Sequence, residues 1–362
     1  MNRILLLSLL LLAACDTNRP EPYEPEAVGL LSIDGGNFSD QDGTITRIDL
    51  VSGASDPGPS MNGFLQGAVA FEGGLAVLVN TFSDGRVDFL APDARTLLRS
   101  ATGFGAPRAV VVLDGSVFVS AFSADGSGRV VRIDPATAAI QATWALPGSY
   151  PEGIAVTGGR IVVALHGFLG DGTLLAVIDP AAPSVATVKA LCDGPRDLVA
   201  TADDGLAVVC AGRTVYSPDW SQVVESTPSR VVFFSAAARS VLRTITLDGQ
   251  VGGSNGTPAT VWLDRKGQLV TLDGANDRIV RIGTDSFVVS TQSLPPGAPG
   301  VGLSALAYDA ASDRLFVARL ARGVGGVPDF SARGSVLALE ADGALAGVWT
   351  VGIAPSALML LQ

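Results

Sequence analysis

The feature that most constrains this chain is a hairpin motif that recurs seven times along its 362 residues. The clearest copy, residues 128–143, reads GRVVRIDPATAAIQAT, in which two runs of alternating apolar residues flank Asp134-Pro135. Such alternation indicates half-buried strands. Asp-Pro starts a tight turn, because proline fixes φ and the carboxylate caps backbone N–H groups. The other copies begin at residues 43, 85, 173, 229, 277 and 334.

The interval between copies predicts the repeating unit. Aligned turn positions lie 42 residues apart at the closest, from Asp49 to Ala91, and 57 at the widest, from Gly283 to Glu340. A four-stranded propeller blade takes roughly 40–50 residues. Each hairpin also follows a second pair of apolar runs, as in AVVVLDGSVFV at 109–119. The sequence therefore predicts an all-β fold, a seven-bladed β-propeller of four-stranded antiparallel blades.

The two ends of the propeller, residues 28–362, complete each other. Residues 29–33 form a strand that lacks an inner strand before it, and residues 354–361 form an inner strand that lacks followers. Placed in one blade, they close the ring and remove its open sheet edges. We expect the N- and C-terminal strands to share a blade.

The repeat resembles a known family. Proline before an inner strand, a glycine turn, a valine-rich strand and then V-x-x-I-D-P-x-T resemble the YVTN-type propeller repeat, related to the NHL, SMP-30 and lactonase-like propellers. Residues 107–143 match best, residues 151–187 follow, and the resemblance covers the chain after Val28. The family's asparagine at the end of the second strand occurs only at Asn80. The resemblance implies the fold and leaves the function open, since such repeats serve many purposes.

The amino terminus has the layout of a bacterial export signal. Residues 1–14 carry one arginine, an apolar run too short to span a bilayer and small residues, and LAAC at 12–15 resembles a lipobox. This pattern predicts a lipoprotein signal peptide, lipidation of Cys15 and a Pro- and Glu-rich tether over residues 15–27. An ordinary signal peptide with an incidental cysteine is the alternative. The expected location is the cell envelope, anchored to a bacterial membrane with the propeller outside the cytoplasm.

Charge narrows the choice of partners. The net charge is −11, and Lys189 and Lys266 are the only lysines. Because no basic patch is visible, nucleic acid is excluded as a partner on electrostatic grounds. We expect a monomer that meets the membrane through its lipid.

A ring of polar residues is expected at one end of the central channel. The aligned starts of the inner strands are Gln66, Arg108, Glu152, Arg196, Ala259, Ser304 and Ser356. Two arginines flanking a glutamate could hold an anionic or polar ligand, since guanidinium suits carboxylates and phosphates. Alternatively, these side chains pair with one another and keep the channel polar. His166, the only histidine, follows a second strand and should lie on the same face, either as a catalytic base or as a structural residue.

Two further features concern covalent and metal chemistry. Cys192 and Cys210 lie 18 residues apart in a chain expected in an oxidising compartment, which favours a disulfide; two buried thiols are the alternative. Residues 34–42, DGGNFSDQD, could supply part of a calcium site, or form a solvated turn, and no other cofactor is expected. We assign no metal-ligating residue.

Two insertions are the candidate interaction loops. Residues 216–230 expose Tyr216 and Trp220, and residues 320–333 add Arg322 and Phe330. Aromatic side chains on exposed loops suit contacts with protein or glycan. Trp220 packed back onto its own blade is the alternative.

Two functions are consistent with these features. The first is a lipid-anchored envelope propeller that acts as a protein- or glycan-binding scaffold without catalysis. The second is an envelope hydrolase of the lactonase or SMP-30 kind. The resemblance implies that a calcium-dependent lactonase would bring Glu, Asn and Asp to the channel mouth, whereas the aligned ring here has one carboxylate, which favours the scaffold.

Overall fold

A computed structural model describes residues 26–81, 84–201, 204–235, 240–249, 251–253, 262–263 and 265–361. In these residues the strands form seven sheets of blade type, each with four antiparallel strands in radial order, and one additional small hairpin. The predicted seven-bladed β-propeller is confirmed. The signal peptide and Cys15 lie outside the described residues.

Each blade begins with an inner strand and continues outward. The inner strands of blades one to seven are β31 (Pro355–Leu361), β4 (Phe64–Phe71), β8 (Ala106–Leu113), β12 (Pro151–Thr157), β16 (Pro195–Ala200), β22 (Trp262–Leu263) and β26 (Val301–Asp309). The second strands, in the same order, are β1 (Gly29–Asp34), β5 (Gly74–Asn80), β9 (Ser116–Phe122), β13 (Arg160–Leu165), β17 (Leu206–Cys210), β23 (Gln268–Asp273) and β27 (Arg314–Arg322).

The third and outer strands are the hairpins read from the sequence. The third strands are β2 (Thr44–Asp49), β6 (Gly85–Leu90), β10 (Ser127–Ile133), β14 (Leu174–Ile178), β20 (Arg230–Phe234), β24 (Arg278–Gly283) and β29 (Arg333–Leu339). The outer strands are β3 (Ser55–Pro57), β7 (Leu97–Thr102), β11 (Ile140–Ser149), β15 (Val185–Lys189), β21 (Val241–Thr246), β25 (Val289–Ser293) and β30 (Leu345–Ile353).

The turn in the hairpin at residues 128–143 has the capping hydrogen bonds that its sequence predicts. The Asp134 N–H donates to the Ala139 carbonyl at 3.0 Å, and the Asp134 carboxylate accepts from the Ala136 N–H and the Thr137 hydroxyl. These hydrogen bonds hold the pKa of Asp134 below its ordinary value. The motif that marks the repeat is therefore a structural cap at the rim of blade three.

The core lies between neighbouring blades. In β1, Leu30 packs with blade seven residues such as Phe316, whereas Leu31 packs with blade two residues such as Leu65. Successive side chains of a strand point to opposite faces, so a strand with a blade on each side buries all of them. This arrangement explains the nearly continuous apolar runs in the inner and second strands.

The ring closes through the chain ends, as predicted. Strand β1 pairs antiparallel with β31, with Gly29 opposite Leu361 and Ser32 opposite Leu358. The Ser356 hydroxyl lies within hydrogen-bonding distance of the Ile33 and Leu65 carbonyls, at 3.0 and 2.9 Å, and so contacts blades one and two. Blade one is complete only when both ends of the described chain are in place.

The two faces of the propeller carry different features. Inner strands begin at one face, here called the mouth face, where the loops between second and third strands also lie; the opposite face is the far face. The described chain starts at the far face, where the Val28 N–H donates to the Leu361 carbonyl and the Ala27 N–H lies 3.5 Å from an Asp309 carboxylate oxygen. The described chain therefore begins on the side away from the mouth.

The insertions are more regular than the expected loops. The blade-five insertion folds as a hairpin of β18 (Thr214–Tyr216) and β19 (Val223–Ser226) on the mouth face. In blade seven, β27 extends to Arg322 and pairs with the short β28 (Pro328–Asp329). Arg322 thus belongs to a strand end, because the extra backbone pairing lengthens β27. Among the described residues, no helix has the length and apolar character that crossing a bilayer requires.

Candidate functional site

Three of the predicted ring residues are joined by hydrogen bonds at the channel mouth. The Arg108 guanidinium donates Nε to Glu152 Oε2 at 3.0 Å and Nη2 to Oε1 at 2.9 Å and to Oε2 at 2.8 Å. Its Nη1 donates to Gln66 Oε1 at 2.9 Å. The Arg108 and Glu152 side chains are only 15% and 11% exposed. The two charges therefore neutralise each other across blades three and four.

A cavity of about 310 Å³ lies in the channel beside these residues. It is lined by Gln66, Arg108 and Asp197 together with apolar residues of the inner strands, among them Val110 and Ile154. Because Glu152 already occupies the fork of Arg108, an anion from solvent would have to displace a carboxylate. The geometry matches the alternative in which the ring side chains pair with one another.

His166 lies close to this group, as expected for the mouth face. Its ring is near the backbone of Gly194, where an added Cβ would lie 3.1 Å from His166 Cε1. Burial lowers the pKa of His166; the negative charge of Glu152 opposes this effect and the positive charge of Arg196 adds to it. Within the described residues the His166 Nδ1 has no hydrogen-bond partner. The imidazole is therefore neutral near pH 7.

The remaining ring positions differ from one another. Arg196 faces Gly252 of the neighbouring blade, where an added Cβ would lie 2.7 Å from its Nη1. Ser304 is buried, Ser356 has the closing role described above, and Ala259 lies outside the described residues. In the ring, the side chains from blades two to four are therefore hydrogen-bonded to one another, whereas the remaining positions have different surroundings.

The acidic loop at residues 34–42 turns one carboxylate inward. Asp34 is fully buried and accepts hydrogen bonds from the hydroxyls of Ser32 and Thr46, both at 2.6 Å. Burial raises its pKa to about 6, although these hydroxyls lower it. Asp42 accepts from the Asn37 N–H at 2.7 Å. No group of metal-ligating side chains is found among the described residues, and calcium binding by this loop stays a prediction.

The blade-five insertion places Trp220 and Tyr216 in a row of aromatic side chains. Trp220 stacks on Tyr216 with 5.5 Å between ring centroids, and it meets Phe168 of blade four edge-on at 6.2 Å. Trp220 is 58% exposed, so it does not pack back into its own blade. Tyr150 extends the row to Phe122 of blade three. The sequence did not point to Phe168 or Tyr150, because single residues in separate connections carry no repeat signal.

The blade-seven insertion is a separate feature. Arg322 donates to the Gly300 carbonyl at 3.0 Å, so it braces the backbone of its own blade. Phe330 is 45% exposed, and Val324 and Val327 are exposed beside it. The insertion therefore contributes apolar side chains to the mouth face, and its use in binding stays a prediction.

A disulfide joins the two predicted cysteines. Cys192 and Cys210 have Cα atoms 6.2 Å apart, and the bond links the start of blade five to the end of β17. Beside it, the Ala211 N–H donates to the Gly194 carbonyl and the Gly212 N–H to the Asp193 carbonyl. The disulfide thus lies at the base of the β18–β19 hairpin.

Comparisons with known proteins give the fold and no family. The sequence matches no protein-family model and no curated protein. A predicted 6-phosphogluconolactonase from Bacteroides fragilis aligns with a TM-score of 0.65 at 14% identity, over 93% of this chain and 98% of that one.

Two further solved structures align with most of this chain. The WD40 β-propeller domain of Doa1 aligns with a TM-score of 0.56 at 12% identity, over 81% of this chain and 86% of that one. The dihydro-heme d1 dehydrogenase NirN, in complex with DHE, aligns with a TM-score of 0.55 at 14% identity, over 94% and 76%. At such identities the likeness supports the propeller fold alone.

Proposed function

We propose that this chain is a lipid-anchored cell-envelope scaffold whose mouth face binds a protein or glycan without catalysis. The anchor is a lipid on Cys15, which tethers a monomeric propeller to a bacterial membrane outside the cytoplasm. Each CH₂ of a lipid chain that is buried in the bilayer contributes roughly 0.8 kcal/mol, so several chains on one residue anchor the protein firmly.

One observation carries the proposal: the described chain begins at the far face, and both insertions project from the mouth face. Val28 is hydrogen-bonded at the end of β31, and the hairpin bearing Trp220 lies at the opposite end of the blades. A tether attached at the far face directs the mouth face away from the membrane. Exposed aromatic side chains at that face are then available to partners.

The paired ring supports binding over catalysis. Glu152, the carboxylate of the aligned ring, is engaged by three hydrogen bonds from Arg108. A general base would need that carboxylate close to a substrate proton. The alternative, a lactonase-like hydrolase at the channel mouth, predicts lactone hydrolysis that Glu152→Gln abolishes.

Membrane fractionation with metabolic labelling by a radioactive fatty acid tests the anchor. The wild-type chain should be labelled and should sediment with membranes, whereas Cys15→Ala should lose both properties. Cys192→Ala is the matched control, because it removes a cysteine that we assign to the folded body. A labelled, membrane-bound Cys15→Ala chain would contradict the proposed anchor.

A further inference from the structure

The mouth face carries a groove between blades four and five that has a defined shape and chemistry. Its volume is about 420 Å³, and its lining includes Phe168, Tyr216 and Trp220 together with Asp171 and Arg213. We call it the aromatic groove. Small-molecule sites typically measure roughly 300–1,000 Å³, so the groove has the size of a ligand site.

Two of its rings are almost perpendicular and form a corner. Phe168 and Trp220 meet at 73°, whereas Trp220 and Tyr216 are nearly parallel at 26°. All three are exposed, by 51%, 58% and 38% respectively. A flat ligand can therefore lie against one aromatic face while its edge meets another ring.

The groove is held in shape before any ligand arrives. Trp220 sits in a tight turn in which its N–H donates to the Ser217 carbonyl at 2.8 Å, and its φ of 60° is rare for a bulky residue. The Asp219 carboxylate accepts from the Ser217 and Ser221 hydroxyls, which lowers its pKa to about 2. Asp219 thus stays charged and fixes the turn. Pre-ordered side chains reduce the entropy that binding costs.

The charges around the groove indicate the class of ligand. Arg213 is paired with Glu225, and the pKa of Asp219, held at about 2 by the Ser217 and Ser221 hydroxyls, keeps that residue negative. Asp171 adds a second negative charge on the blade-four side. An anionic ligand would be repelled, and a purely apolar ligand would cover the Asp171 carboxylate without giving it a hydrogen-bond partner.

We propose that the aromatic groove binds an uncharged saccharide, stacked on Trp220 and Phe168 with its hydroxyls toward Asp171, Arg213 and Ser217. Sugar rings combine apolar C–H faces with hydroxyl edges that both donate and accept. The groove supplies aromatic faces, a carboxylate acceptor, a guanidinium donor and a hydroxyl. A docked protein would need about 800 Å² on each partner, well beyond a groove of this size. This inference rests on the proposed mouth-face binding and names its ligand class.

Calorimetric titration of the detergent-solubilised full chain tests the inference. The probes are maltohexaose, cellohexaose and chitohexaose, with oligogalacturonate as the acidic counterpart. We expect at least one neutral probe to bind with a Kd of about 1 mM or tighter, and oligogalacturonate to bind more weakly. Trp220→Ala should weaken binding about tenfold, and Trp220→Phe should retain part of it.

Phe330→Ala is the matched control, because Phe330 is also an exposed aromatic residue on the mouth face, in blade seven. It should bind the sugar like the wild type. The inference is overturned if no neutral probe binds, if Trp220→Ala binds as tightly as the wild type, or if the acidic probe binds best. Capture of an envelope protein that Trp220→Ala abolishes, with no sugar binding, would overturn the saccharide and leave the proposed scaffold function standing.

Discussion

Arg108 and Glu152, which lie on the inner strands of neighbouring blades, form an ion pair with three hydrogen bonds at the mouth of the channel. Both side chains are largely buried, and Gln66 of a third blade accepts a further hydrogen bond from Arg108. The pair therefore links blades three and four at the channel mouth. In a ligand-binding ring these two charges would instead be exposed to the ligand. It explains why a polar mouth need not be an active site.

Removing one partner of this pair should destabilise the fold. Glu152→Gln leaves the Arg108 charge without its carboxylate in a buried position, and should lower the free energy of unfolding by about 3 kcal/mol. The Arg108→Met/Glu152→Met double variant should be more stable than either single variant, because no charge is left unpaired. Denaturant unfolding measures both effects.

An exposed ion pair provides the comparison for that experiment. Arg314 and Glu340 are 46% and 39% exposed, so Glu340→Gln should cost less than about 1 kcal/mol. If Glu152→Gln cost no more than Glu340→Gln, the Arg108–Glu152 pair would not link the blades as described.

Asp34 should make stability depend on pH. Burial raises its pKa in the folded protein from 3.8 to about 6. The fold therefore favours the protonated carboxyl, and the stability that this contributes is complete below pH 3.8 and lost as the pH rises to about 6. The shift corresponds to about 3 kcal/mol. Asp34→Asn cannot titrate, so it should lack this loss.

Unfolding measured between pH 4 and pH 7 for both proteins tests this prediction. The difference in unfolding free energy between Asp34→Asn and the wild type should change in favour of the variant as the pH rises to about 6, and should level off above that pH. Parallel curves for the two proteins would show that the Asp34 carboxyl has no raised pKa.

Reduction of Cys192–Cys210 should destabilise the protein and loosen the β18–β19 hairpin first. The bond closes a loop of 18 residues, and such a loop contributes about 3 kcal/mol on the chain-entropy model. We expect a reductant to lower the unfolding midpoint and to expose residues 214–226 to protease. The Cys192→Ala/Cys210→Ala variant should not respond to reductant, and an equal response would place the effect elsewhere.

The fold could be predicted from the sequence because each blade repeats the same local rules. Asp49 and Asp134, aligned by their motif, both begin the turn after a third strand, and the N–H of each bonds to a carbonyl five residues later. Apolar residues at every second position indicate a half-buried strand, and the intervals between the hairpin copies indicate the size of a blade. The closure of the ring could be predicted for the same reason, because residues 29–33 and residues 354–361 each lack strands that a complete blade requires.

The candidate site could be predicted only in part. Repeat alignment placed Gln66, Arg108 and Glu152 at one height, which is why they meet. It could not predict that Phe168 contacts Trp220, because that contact joins connections of two different blades. The β18 and β19 strands are too short for a periodic signal, although Pro218-Asp219 between Tyr216 and Val223 is a turn pattern that marks the hairpin.

The proposal that the mouth face is the binding face is tested most directly by site-specific photocrosslinking in the envelope of cells that produce this protein. A photoreactive phenylalanine analogue at Phe168 probes the aromatic groove, and the same analogue at the exposed Glu72, in the turn between β4 and β5, probes the far face. We predict a discrete adduct with envelope material from position 168 and none from position 72. An adduct from position 72 alone, equal adducts from both, or none from position 168 would contradict the account.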